Sequence, residues 1–219
     1  MTRSSELDAL EAAVRRDLDA AHAGRERALA ACRRTIQDCG NSIRAVHRGE
    51  RERAAALADE AAAALREAHE ALRPFPQLAA AGPLHDAEKE YAEARLTAAM
   101  VGDTPLPSYH DLDVTAAAWL CGLAEATSEL RRHLLDRLRA GDMPRGDDLL
   151  ALMSDVYDML VSIDYPDAVT GGLRRTTDAL RAVLERTRGD LTTTLLQSRL
   201  QAAIESRLPP EVSSGRAGV

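Results

Sequence analysis

Rings, lysines and cysteines are all scarce in this chain. Aromatic residues make up 3% of its 219 positions, with one Trp and one Phe. A core built without rings must be filled by Ala, Leu, Val and Ile, which favours helices packed closely through small side chains. The β-branched and aromatic runs that mark strands are nearly absent, so the composition predicts an all-α protein with no sheet. Lys89 is the single lysine, and the remaining basic residues are arginines, whose planar guanidinium suits bidentate phosphate contacts. Cys32, Cys39 and Cys121 are an odd set without CxxC or zinc-ligand spacing. On one helix Cys32 and Cys39 would lie roughly 10 Å apart, too far to pair. The segment MTRSSELDAL carries no apolar signal core, and the longest nearly apolar run, Val114 to Ala124, is about half a membrane span. A reduced, cytoplasmic, non-membrane protein is the expectation.

The formal net charge is -7, which excludes a protein coated in positive charge. Nucleic-acid binding, if the chain performs it, must then be local. Residues 1–206 are expected to form one helical domain, and 207–219, with Pro209, Pro210, Ser213, Ser214 and Gly215, a disordered tail.

Helical periodicity divides the domain into seven segments. Ser4 or Ser5 can cap a first helix whose apolar positions Leu7, Leu10, Val14, Leu18 and Ala21 recur at three and four residues. Unbroken to His47 it would be roughly 65 Å long, more than a domain of this size needs for its own core, which suggests self-association. A second helix, Glu50 to Leu72, ends at Pro74 and Pro76 and makes an antiparallel hairpin with the first. Further helices are expected over Leu84 to Val101, Asp113 to Ala140, Asp147 to Ile163, Pro166 to Arg188 and Leu191 to Ile204.

Two pairs of carboxylates stand out against this pattern. Glu90 and Glu93 are three apart, flanking the apolar stripe through Tyr91 and Ala94, and Glu125 and Glu129 are four apart on the long helix. The run Ala116 to Ala124 is apolar all round, so Glu125 enters a helix that is otherwise largely buried, where a carboxylate needs a partner or a metal. Four oxygen donors make a hard site suited to Mg²⁺ or Mn²⁺, ions that polarise phosphodiesters. The plainer alternative is two solvated helix faces with Arg95 and Arg132 as ion-pair partners. A ferritin-like di-iron bundle is disfavoured because its Glu-x-x-His motif is missing; His133 follows Glu129 by four.

Three stretches resemble the translin and translin-associated factor X family. The segment Arg25 to Arg48, RERALAACRRTIQDCGNSIRAVHR, is similar to the family's first long helix. Leu112 to Leu160 is similar to its core, with Val114-Thr115, Gly122, Thr127, Glu129-Leu130, Ala140-Gly141-Asp142 and Val156-Tyr157-Asp158 in order, preceded by Glu90-Tyr91-Ala92-Glu93-Ala94. The resemblance implies a seven-helix bundle that assembles into hollow octamers enclosing nucleic acid. It also implies, for the translin-associated factor X branch, catalytic acidic residues at Glu90, Glu93 and Glu129, with Glu125 standing where that branch has Asp. Ala118 and Ser128 depart from a family Asp and Gly. The implied protein is a homo-oligomeric, Mg²⁺-dependent endoribonuclease acting on single-stranded RNA, with single-stranded DNA as a further ligand. The rivals are a non-catalytic single-stranded RNA or DNA binder and a structural scaffold. Within such a shell Arg33, Arg34, Arg44, His47 and Arg48 are the candidate phosphate contacts, although Arg15-Arg16, Arg131-Arg132 and Arg174-Arg175 are equally available by sequence. Trp119 and Tyr91 are read as core residues rather than base-stacking platforms.

Overall fold

The computed structural model describes residues 3–79 and 82–207, so most of the expected C-terminal tail lies outside the described residues. Eight helices and no strand occur among those residues: α1 (Arg3–His47), α2 (Arg51–Leu72), α3 (Pro76–Ala79), α4 (Gly82–Gly102), α5 (Ala116–Arg139), α6 (Met143–Val161), α7 (Asp167–Thr170) and α8 (Leu173–Glu205). Among the described residues the chain forms the expected all-helical bundle without a sheet, with eight helices, two of them single turns, where seven were expected, and with α4 and α5 parallel rather than antiparallel. No helix among the described residues is long and apolar enough to cross a membrane.

Helix α1 runs unbroken for 45 residues through Gly24 and Gly40, about 68 Å. It stops at Gly49, whose φ of +75° ends the helix in the left-handed region that glycine adopts without strain. Helix α2 then returns antiparallel along it. Alanines make the seam: Ala31, Ala45, Ala61 and Ala68 are fully buried, and Ser42 Oγ donates to the Ala54 carbonyl at 2.8 Å across the hairpin. Side chains this short let helix backbones approach closely, which compensates for the scarcity of rings.

Helix α5 lies parallel to α4, because the connection 103–115 runs back along α4 before the next helix starts. Thr115 caps α5 with its hydroxyl, which accepts from the Ala118 N–H. The same residue is anchored to α4: its N–H donates to Glu88 Oε2 at 3.1 Å and its hydroxyl donates to that oxygen at 2.6 Å. Asp113 is left-handed at φ 52°, so the helix begins after it rather than at it. Helix α6 starts earlier than its sequence pattern indicates, since Asp142 accepts from the Arg145 N–H and Pro144 fits the first turn.

The C-terminal third divides differently from its sequence pattern. Pro166 opens only the single turn α7, because Gly171 and Gly172, at φ +62° and +89°, break the chain there. Gly189 does not: one glycine costs a helix interior only about 1 kcal/mol, and α8 continues through it to Glu205.

Candidate metal centre and nucleic-acid interface

The parallel register of α4 and α5 brings the acidic pairs face to face. Gly122 makes the close approach possible: a Cβ there would sit 2.7 Å from the Lys89 carbonyl oxygen, 2.8 Å from the Ala92 Cβ and 3.0 Å from the Glu93 nitrogen. One turn further along α5, Glu125 meets Glu90 and Glu93, and one carboxylate oxygen from each of the three lies within 4.8 Å of the others. Glu93 is buried, at 8% exposure. Burial first, then the charges of Glu90, Glu125 and Glu129, push its carboxyl up to about 9, so near neutral pH it holds a proton unless a cation is near.

Lys89 supplies a resident positive charge. Its Nζ donates to both oxygens of Glu125, at 3.0 and 2.8 Å, and stands 3.3 Å from Glu90. Burial disfavours its charge, but the hydrogen bond and charge of Glu125, with Glu90, outweigh that and raise its pKa. Nothing in the sequence pattern marks Lys89 except that it is the single lysine and abuts Glu90.

Glu129 faces the same site without joining the group of three. It is hydrogen-bonded to His47 Nε2 at 2.6 Å, and this bond, against the opposing effect of burial, holds its carboxyl below the usual range. His47, expected among the phosphate contacts, has a side chain only 3% exposed and is turned inward to Glu129. The candidate arginines lie along α1 and, in Arg48, just beyond its end. Arg33, Arg34, Arg44 and Arg48 are exposed, with Arg34 paired to Glu67, Arg44 bonded to Asn41 at 2.6 Å and Arg48 to Glu50 at 2.8 Å. Arg33 has no ion pair among the described residues. Trp119 packs against the core and donates its indole N–H to the Pro107 carbonyl at 3.0 Å, and Tyr91 is buried.

A second buried carboxylate on α4 has the opposite electrostatics. Burial pushes Glu88 up, but hydrogen bonds from His69, at 2.9 Å, and from Thr115 together hold it low. Glu88 is therefore a satisfied structural anchor, whereas Glu93 is crowded by like charge. Sequence spacing does not distinguish the two.

A helical bundle with a carboxylate cluster between two parallel helices is a distinctive combination, and it has relatives. No family model matches the chain. An uncharacterised protein of Methanocaldococcus jannaschii is 29% identical over 182 residues, 81% of this chain and 79% of that protein. The structure of AfC3PO in complex with duplex RNA is 31% identical at a TM-score of 0.76, covering 84% of this chain and 95% of that one. NeC3PO in its apo form, 17% identical with a TM-score of 0.74 over 89% of this chain and 98% of that chain, shares the fold. This chain belongs to the translin family, of which these C3PO proteins are members.

Proposed function

We propose that the protein binds single-stranded RNA within a homo-oligomeric shell and cleaves its phosphodiester bonds with Mg²⁺, or Mn²⁺, held by Glu90, Glu93 and Glu125. The observation that carries the reading is the cluster itself: three carboxylates from two helices converge within 4.8 Å, with Glu93 raised to about 9 by burial and then by the neighbouring carboxylates. All-oxygen donors of this kind match a hard divalent cation. Such an ion supplies a Lewis acid for the phosphate and lowers the pKa of a coordinated water toward neutrality. Glu90, Glu93 and Glu125 would hold it, and Glu129, hydrogen-bonded to His47, would accept a proton from an attacking water. The resemblance to the translin-associated factor X branch, which implies catalytic acidic residues at Glu90, Glu93 and Glu129, supports the same reading. AfC3PO, similar over most of the chain, has been captured with duplex RNA, which supports RNA as the ligand class. The exposed Arg33, Arg34, Arg44 and Arg48 would contact phosphates, with single-stranded DNA a further ligand.

An oligomeric shell is supported by two uncovered apolar stripes. Leu7, Leu10, Val14 and Leu18 on α1 are 56 to 63% exposed, and Leu196, Leu200 and Ile204 on α8 are 51 to 62% exposed. Closure into an octamer would cover such faces.

A second reading, a non-catalytic binder of single-stranded RNA or DNA, is favoured by one observation: Lys89 Nζ already pairs with Glu125 and stands beside Glu90, where a metal would otherwise supply the positive charge. The deciding experiment is cleavage of a labelled single-stranded RNA with Mg²⁺, with EDTA, and by a Glu90→Ala/Glu93→Ala variant. Metal-dependent cutting that the variant loses supports the nuclease. RNA bound and never cut selects the binder.

A further inference from the structure

A cavity of about 880 Å³ opens between the end of α1, the start of α2, the end of α4 and the second half of α5. Its lining is basic in a chain that is acidic overall: His47, Arg48, Arg51, Arg95, His133 and Arg137 stand against two carboxylates, Asp59 and Asp136. Both carboxylates have arginine partners, Asp59 with Arg95 at 3.5 Å and Asp136 with Arg139 at 3.8 Å. Arg51 and Arg137 form no ion pair among the described residues. The Nε of Arg137 is buried with no hydrogen-bond partner, a donor that the fold itself leaves unsatisfied. The positive field inside the groove is felt by His133, whose pKa is lowered by burial and then by Arg137 and Arg145.

The groove neighbours the carboxylate cluster through His47, which lines it and is bonded to Glu129. Glu125, Glu129, His133 and Arg137 follow one another at four-residue steps along one face of α5, each step about 6 Å along the axis. The stripe passes from the acidic group to the basic groove.

We infer that this groove seats the sugar–phosphate backbone of the nucleic-acid strand beside the carboxylate cluster, with Arg51 and Arg137 as the principal phosphate contacts. The inference rests on the nucleic-acid reading above and assigns the strand a path on the protein. Phosphate neutralised by a guanidinium releases counterions, so each contact adds to the salt dependence of binding.

The test is fluorescence anisotropy of a short labelled single-stranded RNA in EDTA over a salt series, using the full chain, an Arg51→Ala/Arg137→Ala variant and a remote Arg186→Ala/Arg188→Ala variant. The groove variant is expected to bind roughly tenfold more weakly, with its salt slope reduced by roughly 1.4, while the remote variant matches wild type. Arg51 is exposed, so Arg51→Glu repeats the test without disturbing the core if removal of Arg137 impairs folding. Unlabelled RNA should displace the probe, and inorganic phosphate or a mononucleotide should not. Equal competition by free phosphate would overturn the strand assignment. Wild-type binding unchanged in the groove variants overturns the groove alone, whereas failure of the wild-type chain to bind RNA removes the nucleic-acid reading with it.

Discussion

Glu88 and Glu93 sit five residues apart on α4, both nearly sealed from solvent, and they resolve the cost of burial in opposite ways. Glu88 stays ionised because His69 and Thr115 donate to it. Glu93 meets other carboxylates, and its folded pKa rises from 4.5 to about 9. A raised folded value means that the native state binds the proton more tightly than the unfolded chain does. Its stability contribution is complete below 4.5 and is lost progressively as pH climbs toward about 9. Metal-free wild type should therefore melt at falling temperature across that interval. Glu93→Gln, which keeps the neutral shape, should flatten the profile and melt a few degrees higher at its alkaline end, and on the proposed nuclease reading should lose roughly a hundredfold or more in Mg²⁺-dependent cleavage. Thermal melts in EDTA over the pH series decide this; parallel profiles for the two proteins would mean that Glu93 is not the titrating group. The spacing of Glu90, Glu93, Glu125 and Glu129 is legible in the sequence because helical geometry fixes which positions share a face. That Lys89 reaches across from α4 to Glu125 on α5, and that His47 of α1 claims Glu129, is not legible, since each contact joins side chains of two different helices.

Between elements, the site depends on how α4 and α5 are registered. Thr115 begins α5 at Glu88, and Gly122 then allows the backbones to close where Lys89, Ala92 and Glu93 pass. Gly122→Ala must displace backbone atoms rather than a flexible side-chain tip. It is expected to destabilise the fold by roughly 1–3 kcal/mol, as overpacking does, and, on the proposed metal-site reading, to weaken Mg²⁺ binding by spreading the carboxylates. Urea denaturation monitored by helical signal measures the first effect; a midpoint equal to wild type would show that the helices can part without cost. The helices themselves follow from composition and periodicity, and so does the stop at Gly49. The later breaks do not, because a glycine ends a helix only where the chain needs the left-handed conformation, as at Gly171 and Gly172 but not at Gly189.

For the molecule as a whole, the ends of α1 and α8 extend past the core. The first five turns of α1 contribute almost nothing to it, yet they keep an apolar stripe at helical spacing. An oligomer that buries these stripes, as proposed above, would account for them. Leu10→Glu combined with Leu200→Glu should reduce the mass measured by light scattering toward a monomer while leaving the far-UV helical signal intact. An unchanged assembly would place the subunit contacts elsewhere. The net charge of -7 is compatible with a nucleic-acid ligand because the lining of the groove is locally basic, with Arg48, Arg51, Arg95 and Arg137 against two carboxylates.

Taken alone, the order of residues decides that this protein is helical, roughly where its helices run and which carboxylates share a helical face, because those properties depend on positions within a turn or two of one another. The parallel pairing of α4 with α5, the Lys89 bridge, the His47–Glu129 bond and the basic groove required the tertiary structure. Each joins residues tens of positions apart, and their meeting depends on the path of the connection 103–115 and on the close approach that small side chains permit.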